Sequence, residues 1–197
     1  MSLNLFIIGP SGCGKSTQAK LIAAKYHLTH FSTGQLFRQQ IKKKTKLGIA
    51  AQKYIEKGLF CPDDLVTKVL FFAFNSVDNH NFIIDGSPRS SIQPQLIENY
   101  LKKQHQTVTA LIHLSVTFQE ILKRRQKMGK DFQDQSRNDN SPQAITKRQL
   151  EYQRIINPIL DFYQKRKQLI KIDGNRPIKP IFQDICRQIN KLIIKKN

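Results

Sequence analysis

Residues 9–17 read Gly-Pro-Ser-Gly-Cys-Gly-Lys-Ser-Thr and satisfy the spacing G-x-x-x-x-G-K-[ST]. This is the pattern of a loop whose backbone N–H groups curl around phosphate oxygens, and it works only between a buried strand and a helix. It therefore constrains the fold as well as the ligand. Leu5, Phe6, Ile7 and Ile8 form a short β-prone run before it, and Ala19, Ile22, Ala23 and Tyr26 recur after it at i, i+3, i+4 and i+7, the stripe of an amphipathic helix. Strand, loop and helix thus stand in the required order. Gly12, Cys13, Gly14, Lys15, Ser16 and Thr17 are the expected triphosphate-binding residues. Lys15 is placed to reach the β and γ phosphates and the Ser16 hydroxyl to ligate Mg²⁺.

A chain of 197 residues suits one domain with a substantial core. Its three cysteines, Cys13, Cys61 and Cys186, are scattered and odd in number, which argues against a disulfide scaffold and for free thiols in a reducing compartment. No stretch approaches the ~20 apolar residues of a membrane span, and the first apolar run is too short for a signal peptide. A soluble, cytoplasmic protein without a membrane partner is expected. The formal charge of +19 would suit any anionic partner. Its lysines and arginines are spread over 42–46, 123–130, 165–171 and the last residues, with no zinc-finger, KH or RRM signature. The charge reads as a generally lysine-rich surface rather than a dedicated nucleic-acid patch.

Apolar, β-prone segments at 3–8, 28–31, 81–84, 108–115 and 168–173 alternate with helical stretches. This predicts an α/β fold with a five-stranded parallel sheet flanked by helices. The last helix has the cleanest period, through Ile178, Ile181, Phe182, Ile185, Cys186, Ile189, Leu192 and Ile193. Two stretches break the alternation: 32–61 reads as a small helical insertion, and polar 126–142 as a mobile loop.

Phe82-Ile83-Ile84-Asp85 is a buried-type strand ending in a carboxylate, the place of the second Mg²⁺-organising group in a phosphate-loop protein. Gly86-Ser87-Pro88-Arg89 follows, so a guanidinium on a Gly-Pro turn stands beside that carboxylate and can bind phosphate through two parallel hydrogen bonds. At this point the chain resembles the adenylate kinase family of nucleoside monophosphate kinases, of the short-lid type, over nearly its whole length. The string Asp85 to Arg89 with Gln93 is similar to the family's D-G-F-P-R and following glutamine. Ser32-Thr33-Gly34 with Arg38, and Gly58-Leu59 with Pro62-Asp63, resemble the two ends of its monophosphate-binding insertion. Arg125, Arg137 and Arg148 resemble its lid arginines, and Asp173-Gly174-Asn175-Arg176-Pro177 the segment that meets the ATP base.

The resemblance implies ATP as donor and AMP as acceptor, with Mg²⁺, two ADP as products, and a monomer. It assigns Lys15, Arg89, Arg137 and Arg148 to catalysis and Arg125 and Arg176 to ATP. Thr33, Arg38, Gly86, Arg89 and Gln93 are assigned to AMP, and Ser16 and Asp85 to the metal. Residues 32–61 would close over the monophosphate and 126–137 over the triphosphate. Gln93 would present a donor and an acceptor to the adenine edge. Lys123, Arg124 and Lys127 read as solvated charges, and His113 as a core histidine. Ser87 stands where the family usually has an aromatic, Gln35 where it has an aspartate, and Asn140 where it has the second lid aspartate. Two alternatives stay open: a kinase of another monophosphate or small metabolite, and a weakly active kinase-like protein that binds RNA or a protein partner.

Overall fold

The computed structural model of the chain describes residues 2–57, 59–75, 81–128 and 142–194, excluding the side chains of residues 125, 127, 128 and 142–145. Five strands, β1 (Asn4–Ile8), β2 (Thr29–Ser32), β3 (Phe82–Asp85), β4 (Ala110–Ser115) and β5 (Leu169–Asp173), form one sheet in the order β2-β3-β1-β4-β5. Every pairing is parallel. The helices are α1 (Lys15–Tyr26), α2 (Thr33–Lys42), α3 (Lys46–Ile55), α4 (Asp63–Asn75), α5 (Gln93–Lys103), α6 (Phe118–Met128), α7 (Pro142–Lys165) and α8 (Ile178–Ile194). All five strands therefore lie within two residues of where the apolar runs put them.

A parallel sheet is covered on both faces, so its inner strands are apolar at successive positions and its edges are not. β1 and β3 are buried throughout, whereas edge strand β5 alternates, with Ile170 and Ile172 buried and Lys171 and Asp173 exposed. Successive side chains along a strand leave on opposite faces. Phe6 and Ile8 accordingly join Val66, Leu70, Phe74, Ile97 and Tyr163 on the face covered by α4, α5 and α7. Leu5 and Ile7 join Ala19, Ile22, Ile181, Ile185 and Ile189 on the face covered by α1 and α8. Each fully buried aliphatic side chain contributes about 1.5–3 kcal/mol.

Two expectations need correction. The helical stripe of α8 does not extend to its first residue, since Ile178 is 57 % exposed while its carbonyl accepts a hydrogen bond from Gln18 Nε2 at 3.0 Å. The polar stretch 126–142 is helical at both ends, because α6 runs to Met128 and α7 begins at Pro142; residues 129–141 lie outside the described residues. The insertion is helical as expected, supplying α2 and α3.

His113 lies near the carboxyl end of β4, half-buried and in register with Lys171 of β5. Burial, and secondarily the Lys171 ammonium, lower its pKa from about 6.5 to about 4. The fold thus favours neutral imidazole: the stability it contributes is present above pH ~6.5 and is lost as pH falls towards 4. Thermal melting between pH 7 and 4 should show this loss, and His113→Gln should flatten it. An unchanged slope in the variant would rule out His113 as the source.

Candidate active site

The parallel ladder brings the carboxyl ends of β1 and β3 side by side, with Ile7 opposite Asp85. The chain leaves β1 at Ile8 and turns through residues 9–14 into α1. Gly14, at the N-cap, has φ 93°, and Gly12 φ 86°, conformations that a side chain would strain. Gly9 is pressed onto β4: a Cβ there would lie 2.6 Å from the Leu114 carbonyl oxygen and 2.7 Å from Cys13 Sγ. Lys15 Nζ reaches back across the loop to donate to the Pro10 carbonyl at 3.3 Å, so its charge already lies over the cradle. The amino end of α1 adds the partial positive charge of its unpaired N–H groups. Cys13 is fully buried beneath, and burial raises its thiol pKa.

The Ser16 hydroxyl donates a short hydrogen bond to Asp85 Oδ2. Asp85 is 2 % exposed, and its other oxygen, Oδ1, is buried without a hydrogen-bond partner among the described residues. A buried carboxylate oxygen left unmatched is costly unless something occupies it. The pair Ser16 and Asp85 supplies hard oxygen donors of the type Mg²⁺ takes, so these residues fit that ion.

Beyond Asp85 the chain turns sharply. Gly86 has φ 88°, and its missing side chain lets the Arg89 guanidinium fold back, with Nε donating to the Gly86 carbonyl at 2.5 Å. The Phe60 ring packs over that guanidinium, 4.8 Å from centroid to the central carbon. Thr33 opens α2, and its Oγ1 is buried with no partner among the described residues. Arg38, one turn on, lies close enough that a Cβ on Gly34 would meet its Nη1 at 3.3 Å. Gln93 begins α5 and is 1 % exposed. Its Oε1 accepts from the Arg89 N–H at 2.6 Å and the Ser87 hydroxyl at 3.3 Å, while its Nε2 donates to Asp63 Oδ1 at 2.7 Å.

On the other side of the loop, Arg124 departs from the solvated charge expected of it. Nη1 donates to the Cys13 carbonyl at 2.8 Å, Nη2 to the carbonyls of Gly174 at 2.5 Å and Arg176 at 3.3 Å, and Nε to Glu120 at 2.8 Å. The phosphate loop, α6 and the β5–α8 turn are tied together at this one side chain. The Arg176 guanidinium is held by Asp184 at 2.7 Å and by the Asp173 carbonyl, so its backbone carbonyl is what faces Arg124. Arg148 lies half-buried on α7, one turn before Tyr152. Arg137 lies outside the described residues, as do Gly58 and the Arg125 side chain.

Sequence reasoning took Arg124 for a solvated charge, met Asp63 only as part of the Pro62-Asp63 pair, and did not single out Phe60. Arg124 and Arg125 stand three and four residues after buried Ile121, so helical spacing alone does not separate them. The available signal was Glu120, which pairs with Arg124 at i,i+4. Asp63 and Gln93 are 30 residues apart and meet only in the fold.

No helix among the described residues is long and apolar enough to cross a membrane. The adenylate kinase family model matches residues 7–168. An adenylate kinase of Azobacteroides pseudotrichonymphae is 36 % identical over 191 residues, covering 96 % of this chain and 98 % of that protein. One of Bacteroides thetaiotaomicron is also 36 % identical, covering 96 % and 100 %. One of Clostridium novyi is 30 % identical, covering 95 % and 98 %. Phosphate loop, metal-type carboxylate and Gly-Pro-Arg turn thus converge in a chain that belongs, over nearly its full length, to the adenylate kinase family.

Proposed function

We propose that this chain catalyses reversible transfer of the γ-phosphoryl group of Mg·ATP to AMP, giving two ADP, as a cytoplasmic monomer. The observation that carries this reading is the convergence, at the carboxyl ends of β1 and β3, of Lys15, Ser16 and Asp85 on one side and Arg89 on the other. The triphosphate lies in the loop of residues 9–17, and the AMP phosphate meets Arg38 and Arg89, with Thr33 beside it. An oxygen of AMP attacks the γ-phosphorus while its bond to the bridging oxygen breaks, and that oxygen departs on ADP. Each side chain positions a reactant or balances charge, and no covalent enzyme intermediate is required. Mg²⁺, entering with ATP, would be held at Ser16 and Asp85 and would neutralise phosphate charge. Residues 32–61 close over the monophosphate and 126–137 over the triphosphate, excluding water that would hydrolyse ATP. Arg137 and Arg148 offset charge on the transferring group. Arg125 stacks on the adenine of ATP, while Arg124 holds the loop and the base-side turn in register.

Lys15→Met should abolish ADP formation, by well over the tenfold that corresponds to ~1.4 kcal/mol, and leave the melting temperature unchanged. Retention of more than about a tenth of the activity would dismiss the phosphate-loop assignment. Arg38→Ala and Arg89→Ala should raise KM for AMP at least about tenfold, or lower kcat, while ATP affinity by titration stays within a few fold. Equal loss for both nucleotides would place these arginines on the wrong side. Arg124→Ala should weaken ATP binding and also lower the melting temperature. Three carbonyls lose a charged donor there, and about 2 kcal/mol corresponds to roughly 4–8 °C in a chain of this size. Lys cannot span three acceptors and should rescue little. A variant with wild-type melting would exclude the tie.

A further inference from the structure

A glutamine amide shows oxygen on one side and nitrogen on the other, and its neighbours decide which way round it lies. At Gln93 both ends are decided. The Arg89 backbone N–H can only donate, so the group 2.6 Å from it is Oε1. The Asp63 carboxylate accepts at 2.7 Å, so the group facing it is Nε2. A flip would set donor against donor at one end and acceptor against acceptor at the other. The Ser87 hydroxyl, donating at 3.3 Å, adds a second bond to Oε1. Both lone pairs of the oxygen are then engaged, and one of the two Nε2 hydrogens is bound to Asp63. One N–H is all that the amide has left to offer a ligand.

We infer that Asp63 and Ser87 are specificity-determining residues for the acceptor. They lock Gln93 so that it presents the acceptor base with a single hydrogen-bond donor and no acceptor. This rests on the proposed acceptor site and narrows it. The site selects bases whose ring edge carries a bare nitrogen, as adenine does at N1 and cytosine at N3. It rejects those carrying an N–H there, as hypoxanthine, guanine and uracil do. Gln93 is 1 % exposed, so no water relieves a mismatched pair of donors. This replaces the expectation that Gln93 offers both a donor and an acceptor to adenine. Ser87 makes the difference, since an aromatic in that position would bring no hydroxyl to Oε1.

The test exchanges the two groups without changing net charge. In the double variant Asp63→Asn, Gln93→Glu, the new carboxylate still accepts from the Arg89 N–H and Ser87 hydroxyl and now also from the amide introduced at position 63. Position 93 then shows the base an acceptor. AMP and IMP differ at this edge in carrying N1 or N1–H, so the readout is the ratio of their kcat/KM values. Wild type should favour AMP, and the double variant should shift the ratio towards IMP by at least about tenfold. Asp63→Asn alone should keep the wild-type ratio, because its side-chain carbonyl still accepts from Nε2. An unchanged ratio in the double variant, with ATP affinity and melting intact, overturns the inference. Should the double variant not fold, Gln93→Leu gives the same decision: AMP and IMP should become equivalent, and a ratio left as in wild type overturns it. CMP and UMP separate this inference from the acceptor assignment. A wild type that neglects AMP yet prefers CMP to UMP removes the AMP reading and supports the amide lock. One that uses AMP and IMP equally keeps the kinase reading and removes the lock.

Discussion

The pairing of β1 with β3 is the constraint on which the site depends. Ile7 lies opposite Asp85 in a parallel ladder, so the loop of residues 9–14 and the turn of residues 86–89 leave the sheet at the same height and in the same direction. A slip of one residue would send Asp85 to the other face and separate it from Ser16. The register is itself held by burial. Phe6 and Ile84 pack into one core and Leu5, Ile7 and Ile83 into the other, so a slip would exchange the contents of both. Hydrophobic alternation in two adjacent strands thus fixes the position of a hydroxyl and a carboxylate.

The loops have their own anchorage. The phosphate loop is pressed onto β4 at Gly9, and its Cys13 carbonyl is held by Arg124 from α6. The turn of residues 86–89 is held by Gln93 through the Arg89 N–H, and through Asp63 it is joined to the start of α4. A site that must place two polyanions in line needs its cationic groups fixed before the ligands arrive. Backbone carbonyls and one buried amide do this here, on both sides of the transferring group.

What could be read in the sequence was local in the chain or carried by a pattern. The five strands were legible because each is a short apolar run bounded by polar residues. The loop at 9–17, Asp85 and the Gly86–Arg89 turn were legible because their spacing expresses one physical requirement, backbone free to approach phosphate. Arg124 was misread because spacing at i+3 and i+4 from Ile121 does not single out one of two adjacent arginines, and its bonds to the Cys13, Gly174 and Arg176 carbonyls form only in the fold. The orientation of the Gln93 amide was not legible at all, since it is set by a carboxylate thirty residues earlier. The exposure of Ile178 was hidden by the regular period of α8, which continues through a first residue that the core does not cover.

The two ends of the sheet are built differently. At the amino ends of the strands, side chains close the loops upon one another. Asn4 donates from its backbone to Thr109 Oγ1 at 3.1 Å and from its side chain to Gln106 at 3.0 Å and the Thr107 carbonyl at 3.1 Å. Leu3 N–H donates to Asn81 at 2.7 Å, and Gln168 to the Val108 carbonyl at 2.6 Å. This end is a sewn hem that ties the start of β1 to three connections, and none of these stitches touches a group assigned to the nucleotides. Changes at the carboxyl ends, such as one at Ser87, can therefore accumulate over a frame secured from the opposite side. In evolutionary terms, substrate choice in this chain can drift without loosening the sheet beneath it.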